Sequence, residues 1–128
     1  MQDQPSVDQL LRAIRRFLDE EIVPHTDGRR QFVARVASNT LAIVERELRA
    51  EEEHLRREWD GLKRLLGDMQ EPTSREALRA AIRAANDALC ARIRDGAAED
   101  GPWADAVYAH TLATVRDKLN VTNPTYVA

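Results

Sequence analysis

The sequence predicts an all-α fold, an antiparallel bundle of four to five helices with one long central helix. Three observations carry this. Ala, Leu, Arg and Glu dominate the 128 residues, as they do in helical proteins. Apolar residues recur at helical spacing in every long segment, and no alternating strand pattern occurs. Every Pro, and every Gly but Gly61, falls between or at the ends of those segments, where it punctuates them.

The first helix is announced by Ser6 and Gln9, a capping box in which the hydroxyl accepts a helix N–H and the amide reaches back. Val7, Leu10, Leu11, Ile14, Phe17, Leu18 and Ile22 form its apolar stripe, and Pro24 stops it at about Val23. Arg12, Arg15 and Arg16 are expected on its solvated face. His25 to Gly28 reads as a turn, with Thr26 or Asp27 capping the next helix. His25 itself is expected to be an ordinary loop histidine.

The stretch from Gln31 to Leu48 is expected to organise the chain. Phe32, Val33, Val36, Ala37, Thr40, Leu41, Ile43, Val44 and Leu48 cover roughly half of the helix circumference. An arc that wide calls for neighbours on two sides, so this is the expected central helix. Small residues, Ala34, Ser38 and Ala42, occupy its back. Arg35 and Asn39 lie four apart on one edge of the arc. They are either a boundary pair bonding to a neighbouring loop or helix end, or an anion or amide site. Leu55, Trp59, Leu62, Leu65 and Leu66 prolong the stripe, which predicts one helix to about Leu66, continuous or bent near Arg49–Glu52. Gly67 and Pro72 close it.

Thr73 and Glu76 form a second capping box before a helix over 74–94, packed through Leu78, Ala81, Ile82, Ala85, Leu89 and Ile93. Its alanines call for a close neighbour. Gly96 suits its C-terminal cap, and Cys90 is expected to be partly buried. Pro102 opens the last helix, whose stripe runs from Trp103 through Val107 and Leu112 to Leu119, ending near Asn120. One helical domain over 1–128 is expected, with 1–5 frayed and 121–128 an extended tail docking back through Tyr126 and Val127.

Net charge is −3, with acids and bases interspersed, so no basic stripe recruits nucleic acid. No run reaches the length of a membrane span, and the N-terminus lacks a signal-peptide pattern. A single cysteine rules out a disulfide framework within one chain. A cytoplasmic protein without a cofactor is expected, with no nucleic-acid or membrane partner. No phosphate loop, nucleophile elbow or paired Cys-x-x-Cys is present.

One constellation has the spacing of chemistry. Glu47, Glu51, His54 and Glu58 follow one another at intervals of four, three and four, on one helix face. Glu51 and His54 reproduce the Glu-x-x-His spacing of di-iron carboxylate bundles. A full site needs a second such motif and two more carboxylates, which the chain does not show. The plain reading is a charged, solvated face.

The segments RVASNTLAIVEREL (Arg35 to Leu48), LCARIRDG (Leu89 to Gly96) and VRDKLNVTNPTY (Val115 to Tyr126) carry a resemblance over nearly the whole chain. It resembles a family of small bacterial helical proteins of unknown function, often encoded beside aminoglycoside-phosphotransferase-like kinases and acyl-CoA dehydrogenases. The resemblance brings no active-site residues with it. FLDEEIVPH (Phe17 to His25) is also similar to the first helix of acyl-CoA dehydrogenases. That enzyme needs several hundred residues, a β-domain and a flavin site, so such a name would be inherited rather than an activity of this chain. The expected function is a non-catalytic accessory or protein-interaction module, pairing with a kinase-like or dehydrogenase-like protein or with itself. The alternative is a small enzyme or a ligand- or metal-binding protein using the Glu/His face.

Overall fold

The computed structural model describes residues 3–127, so the frayed start expected at 1–5 and the tail end fall partly outside the described residues. The fold is all-α. Four helices, α1 (Val7–Phe17), α2 (Gly28–Leu66), α3 (Arg75–Arg94) and α4 (Gly101–Thr122), account for most of the chain. The long helix is unbroken for 39 residues. The charge run at Arg49–Glu52 does not interrupt it, because Glu, Arg and Ala are all good helix formers. Contacts group the residues into two compact units, 1–49 and 50–128, with the boundary inside α2.

The first unit is a helical hairpin. Ser6 caps α1 as its sequence requires, with Gln9 N donating to Ser6 Oγ at 3.3 Å and Ser6 N donating to Gln9 Oε1 at 2.8 Å. Pro24 ends the helix through a π turn over Leu18–Ile22 and a 3-10 turn over Val23–His25. Thr26 does not cap α2. Its hydroxyl turns back to donate to the Ile22 carbonyl at 2.7 Å, and α2 starts on Gly28, whose φ of +52° suits glycine. His25 is held in its loop, with Nδ1 2.8 Å from Glu21 O.

α1 and the first part of α2 run antiparallel. Asp8 meets Arg49 at 2.5 Å, Arg15 meets Glu45 at 2.5 Å, and Gln31 Nε2 donates to Val23 O at 3.0 Å. The face of α2 turned to α1 is not the wide apolar arc. It is the small back face, where Ala34, Ser38, Ala42 and Glu45 are buried. Arg15, expected on the solvated face of α1, points into this seam.

The second unit holds the principal hydrophobic core. Trp59, Leu62 and Leu65 of α2 pack with Leu78, Ile82, Ala85 and Leu89 of α3 and Val107 of α4. α4 runs antiparallel to α2: Trp103 reaches Leu65 at one end, and Asp117 reaches Arg57 at the other. α3 contacts α2 in ascending order, Arg79 with Glu51, Asn86 with Glu58 and Arg92 with Leu65, so these two helices run the same way. The segment 67–74 must therefore travel back along α2. Glu71 pins it midway, accepting from Trp59 Nε1 at 3.2 Å and from Lys63. That contact with the Lys63 ammonium, and then the Trp59 bond, hold the Glu71 carboxyl below its ordinary value; Glu71 in turn raises Lys63.

Helix ends are closed locally. Ser74, not Thr73, caps α3, accepting from Ala77 N at 3.0 Å. Both residues fit the cap, and the periodicity could not choose between neighbours. At the other end Gly96 takes φ +89°, and Ala97 N and Gly96 N donate to the Arg92 and Ile93 carbonyls, a Schellman closure. The last carbonyls of α2 lack intrahelical donors. Leu65 O receives Trp103 Nε1 at 3.0 Å and an Arg92 guanidinium nitrogen at 3.2 Å, with that guanidinium stacked 4.3 Å from the Trp103 ring centroid. α4 continues to Thr122, and a 3-10 turn over Pro124–Tyr126 follows in place of an extended tail. Asn123 organises that turn, accepting from Tyr126 N at 3.0 Å and from the Thr125 hydroxyl at 2.8 Å. Tyr126 stays exposed, and Val121 is the buried anchor instead.

Candidate functional sites

The Glu/His series on α2 does not stay together. Glu47 is exposed in the first unit. Glu51, His54 and Glu58 lie in the second, and they are not the solvated face that their charge suggests. Glu51 pairs with Arg79 and lies 3.7 Å from Arg75. Glu58 accepts from Asn86 at 2.9 Å, with the Lys118 ammonium 3.6 Å away. His54 lies 3.9 Å from Asp117, which is itself clamped by two Arg57 nitrogens at 3.0 and 2.7 Å. Each acid is thus turned towards a cation or amide of α3 or α4 rather than towards another acid. Among the described residues no group of three or more His, Cys, Asp or Glu is placed to hold a metal ion. These side chains tie the helices of the second unit together, a bonding role that their spacing alone did not reveal.

A second histidine enters the same region from α4. His110 is half-buried against Gly61, where a Cβ would sit only 2.2 Å from its Nδ1. Only glycine lets the ring approach α2 so closely. Loss of water lowers the His110 pKa; Glu58 opposes this, and Arg64 and Lys118 add to it. The unfolded chain therefore takes up this proton first as pH falls. The His110 contribution to stability is intact above the ordinary histidine value and is lost as pH falls below it towards the folded pKa. Replacing His110 with glutamine is expected to flatten that part of the profile, read as a smaller difference in denaturation midpoint between about pH 7.5 and about pH 5.5. An unchanged difference would assign the acid sensitivity elsewhere.

Arg35 and Asn39 are both exposed, and neither makes a hydrogen bond to the other among the described residues. Their position follows from helix phase. Measured around α2, the seam with α1 is centred on Ala34, Ser38, Ala42 and Glu45. Arg35, Asn39 and Arg46 lie to one side of it, and Val33, Ala37, Leu41, Val44 and Leu48 to the other, each set offset by about 100° or less on average. On α1 the residues turned to α2 include Leu11, Arg15 and Leu18. Val7, Leu10, Ile14 and Phe17 are offset from them in the same rotational sense as the apolar set on α2. In antiparallel helices equal offsets in one sense fall on the same side of the pair. The two apolar stripes therefore form one continuous surface. Arg12, Arg16 and Asp19 of α1 join Arg35, Asn39 and Arg46 on the opposite, polar side.

That surface is open. Val7, Leu10, Ile14, Phe17, Val33, Val44 and Leu48 are exposed on it among the described residues, and Phe32 and Val36, farther round α2, are exposed as well. Phe32 is 67% exposed and Leu48 54%. The wide arc expected at the centre of the bundle is thus largely exposed, and the hairpin seam is made by the small residues behind it. The reason is steric. Alanine and serine let two helices approach closely, which the Phe and Val side chains prevent.

A family model matches residues 24–126. The chain belongs to DUF6285, a domain of unknown function. The match takes in α2, α3 and α4 and begins after α1. Comparison with curated proteins and with solved structures gives no significant match. Among the described residues no DUF6285 helix here is long and apolar enough to cross a membrane.

Proposed function

We propose that this DUF6285 chain is a non-catalytic helical interaction module, docking through the apolar side of its N-terminal hairpin. The observation that carries the reading is the row of exposed large side chains on α1 and α2, far more contiguous than the scattered apolar residues of an ordinary surface. The pairing of Glu51, Glu58 and Asp117 with Arg79, Asn86 and Arg57 supports it from the other side, since their placement is accounted for by helix packing. The kinase-like and acyl-CoA-dehydrogenase-like proteins implied by the sequence resemblance are the heterologous candidates, and a second copy is the homologous one.

The test is binding by the purified chain to each purified candidate, and to itself, with and without the substitution Val44→Asp. A charge placed in the middle of an apolar contact is expected to weaken association by about tenfold or more. A chain that stays monomeric and binds neither candidate sinks the reading.

A further inference from the structure

We infer that the partner of this face is a second copy of the chain, two hairpins closing into an intermolecular four-helix bundle. The inference rests on the reading of the hairpin as a docking surface and names its occupant.

The hairpin is incomplete as a core. Among the described residues, those it buries are Ala34, Ser38, Ala42 and Glu45, with no large apolar side chain among them. Two helices joined by a short turn, apolar on one side and polar on the other, are half of a four-helix bundle. What completes such a half is another slab two helices wide, and the chain itself supplies one.

The area fits. Seven exposed side chains, Val7, Leu10, Ile14, Phe17, Val33, Val44 and Leu48, present roughly 600 Å² per chain, the lower end of what each partner contributes to a stable interface. The chemistry fits a two-fold arrangement as well. Between Val7 and Phe17 on α1, and between Val33 and Leu48 on α2, the stripe carries no charged residue. A two-fold axis sets this surface against itself, apolar against apolar, and buries no unpaired charge. The charged residues Arg12, Arg16, Asp19 and Arg35 remain on the far side, facing water. A lipid surface would use the same face, so vesicle binding is the competing outcome.

Sedimentation velocity of the full chain over a wide dilution range is the direct experiment. The expected species has twice the 14.5 kDa chain mass and dissociates on dilution. Ile14→Asp on α1 and Val44→Asp on α2 are each expected to weaken the dimer at least about tenfold. Tyr108→Asp, at an exposed position in the other unit, is expected to leave it unchanged. Should the Asp variants lose helix, the unmodified chain still decides: its thermal midpoint is expected to rise with concentration. Three results overturn the inference: a strict monomer at every concentration, a dimer that both Asp variants leave intact, or a monomer that co-sediments with phosphatidylglycerol vesicles. A monomer that binds a kinase-like or dehydrogenase-like candidate through Val44 overturns the self-association alone and leaves the docking reading standing. A dimer indifferent to both substitutions, with no candidate bound, removes both.

Discussion

Replacing Trp59 with alanine is expected to destabilise the second unit by ~3–5 kcal/mol, the range for deleting a large buried aromatic. Trp59 is 2% exposed and sits in the cluster formed with Leu62, Leu78, Ile82, Leu89 and Val107. Three helices meet there, so no single neighbour can collapse into the space without leaving the other two. The indole has a second task. Its Nε1 holds Glu71, and with it the segment that carries the chain back along α2 so that α3 can run parallel. Trp59→Phe separates the two roles. It keeps most of the burial and is expected to cost about 1–2 kcal/mol, for the lost hydrogen bond and a smaller ring. Urea denaturation followed by circular dichroism measures both, and hydrogen exchange locates the loss. Equal costs for the two variants would mean that the tether to Glu71, and not the packing, is what Trp59 supplies.

The core of the second unit was legible because its signals are local and redundant. Leu78, Ile82, Ala85 and Leu89 recur at helical spacing, and the structure buries all four. Ser6 and Gly96 are single residues whose chemistry dictates one backbone outcome each, and both outcomes occur. The unbroken α2 was legible as a phase that persists across Arg49–Glu52. The parallel course of α3 was not, because periodicity carries no direction. Only the length of 67–74 hinted that the chain had distance to cover.

The apolar arc of the hairpin is the more instructive case. Phe32, Val33, Val36, Val44 and Leu48 belong to the expected core because burying apolar area is the dominant gain in folding. Within this chain that gain is not taken, and the small residues Ala34, Ser38 and Ala42 make the seam. The alanines of α3 carry an expectation of close approach to a neighbour. Ala34, Ser38 and Ala42 carry it too, but the larger residues beside them mask it. An apolar arc in a sequence says that something covers it, and the sequence cannot say whether that something belongs to the same chain. The candidate sites divide likewise. Glu51, His54 and Glu58 were found by spacing, but Arg79, Asn86 and Asp117 that claim them lie 28 to 63 residues away and leave no local trace.

Arg15→Leu is expected to destabilise the hairpin by about 3 kcal/mol, the lower end for breaking a buried ion pair by removing one member. Glu45 is 4% exposed, and Arg15 Nη1 donates to its Oε2 at 2.5 Å. Arg15 Nε and Glu45 Oε1 are buried with no hydrogen-bond partner, so the pair is already only partly satisfied. Removing the guanidinium leaves the buried Glu45 carboxylate among Ala34, Ser38 and Ala42 without its ion-pair partner. Glu45→Leu is expected to cost less, because Arg15 is a third exposed and its charge can turn to water. The double variant Arg15→Leu/Glu45→Leu removes both desolvated charges and places apolar side chains in their volume. It is expected to lie near the parent, within about 1 kcal/mol, and therefore well above the Arg15→Leu single variant. The quantity to measure is the coupling in that double-mutant cycle, read from denaturation midpoints and from exchange of the hairpin amides. A coupling near zero would show the pair to be incidental. A large coupling would show that Arg15 and Glu45 act as a unit, each desolvated charge tolerated in this seam of small residues only while the other is present.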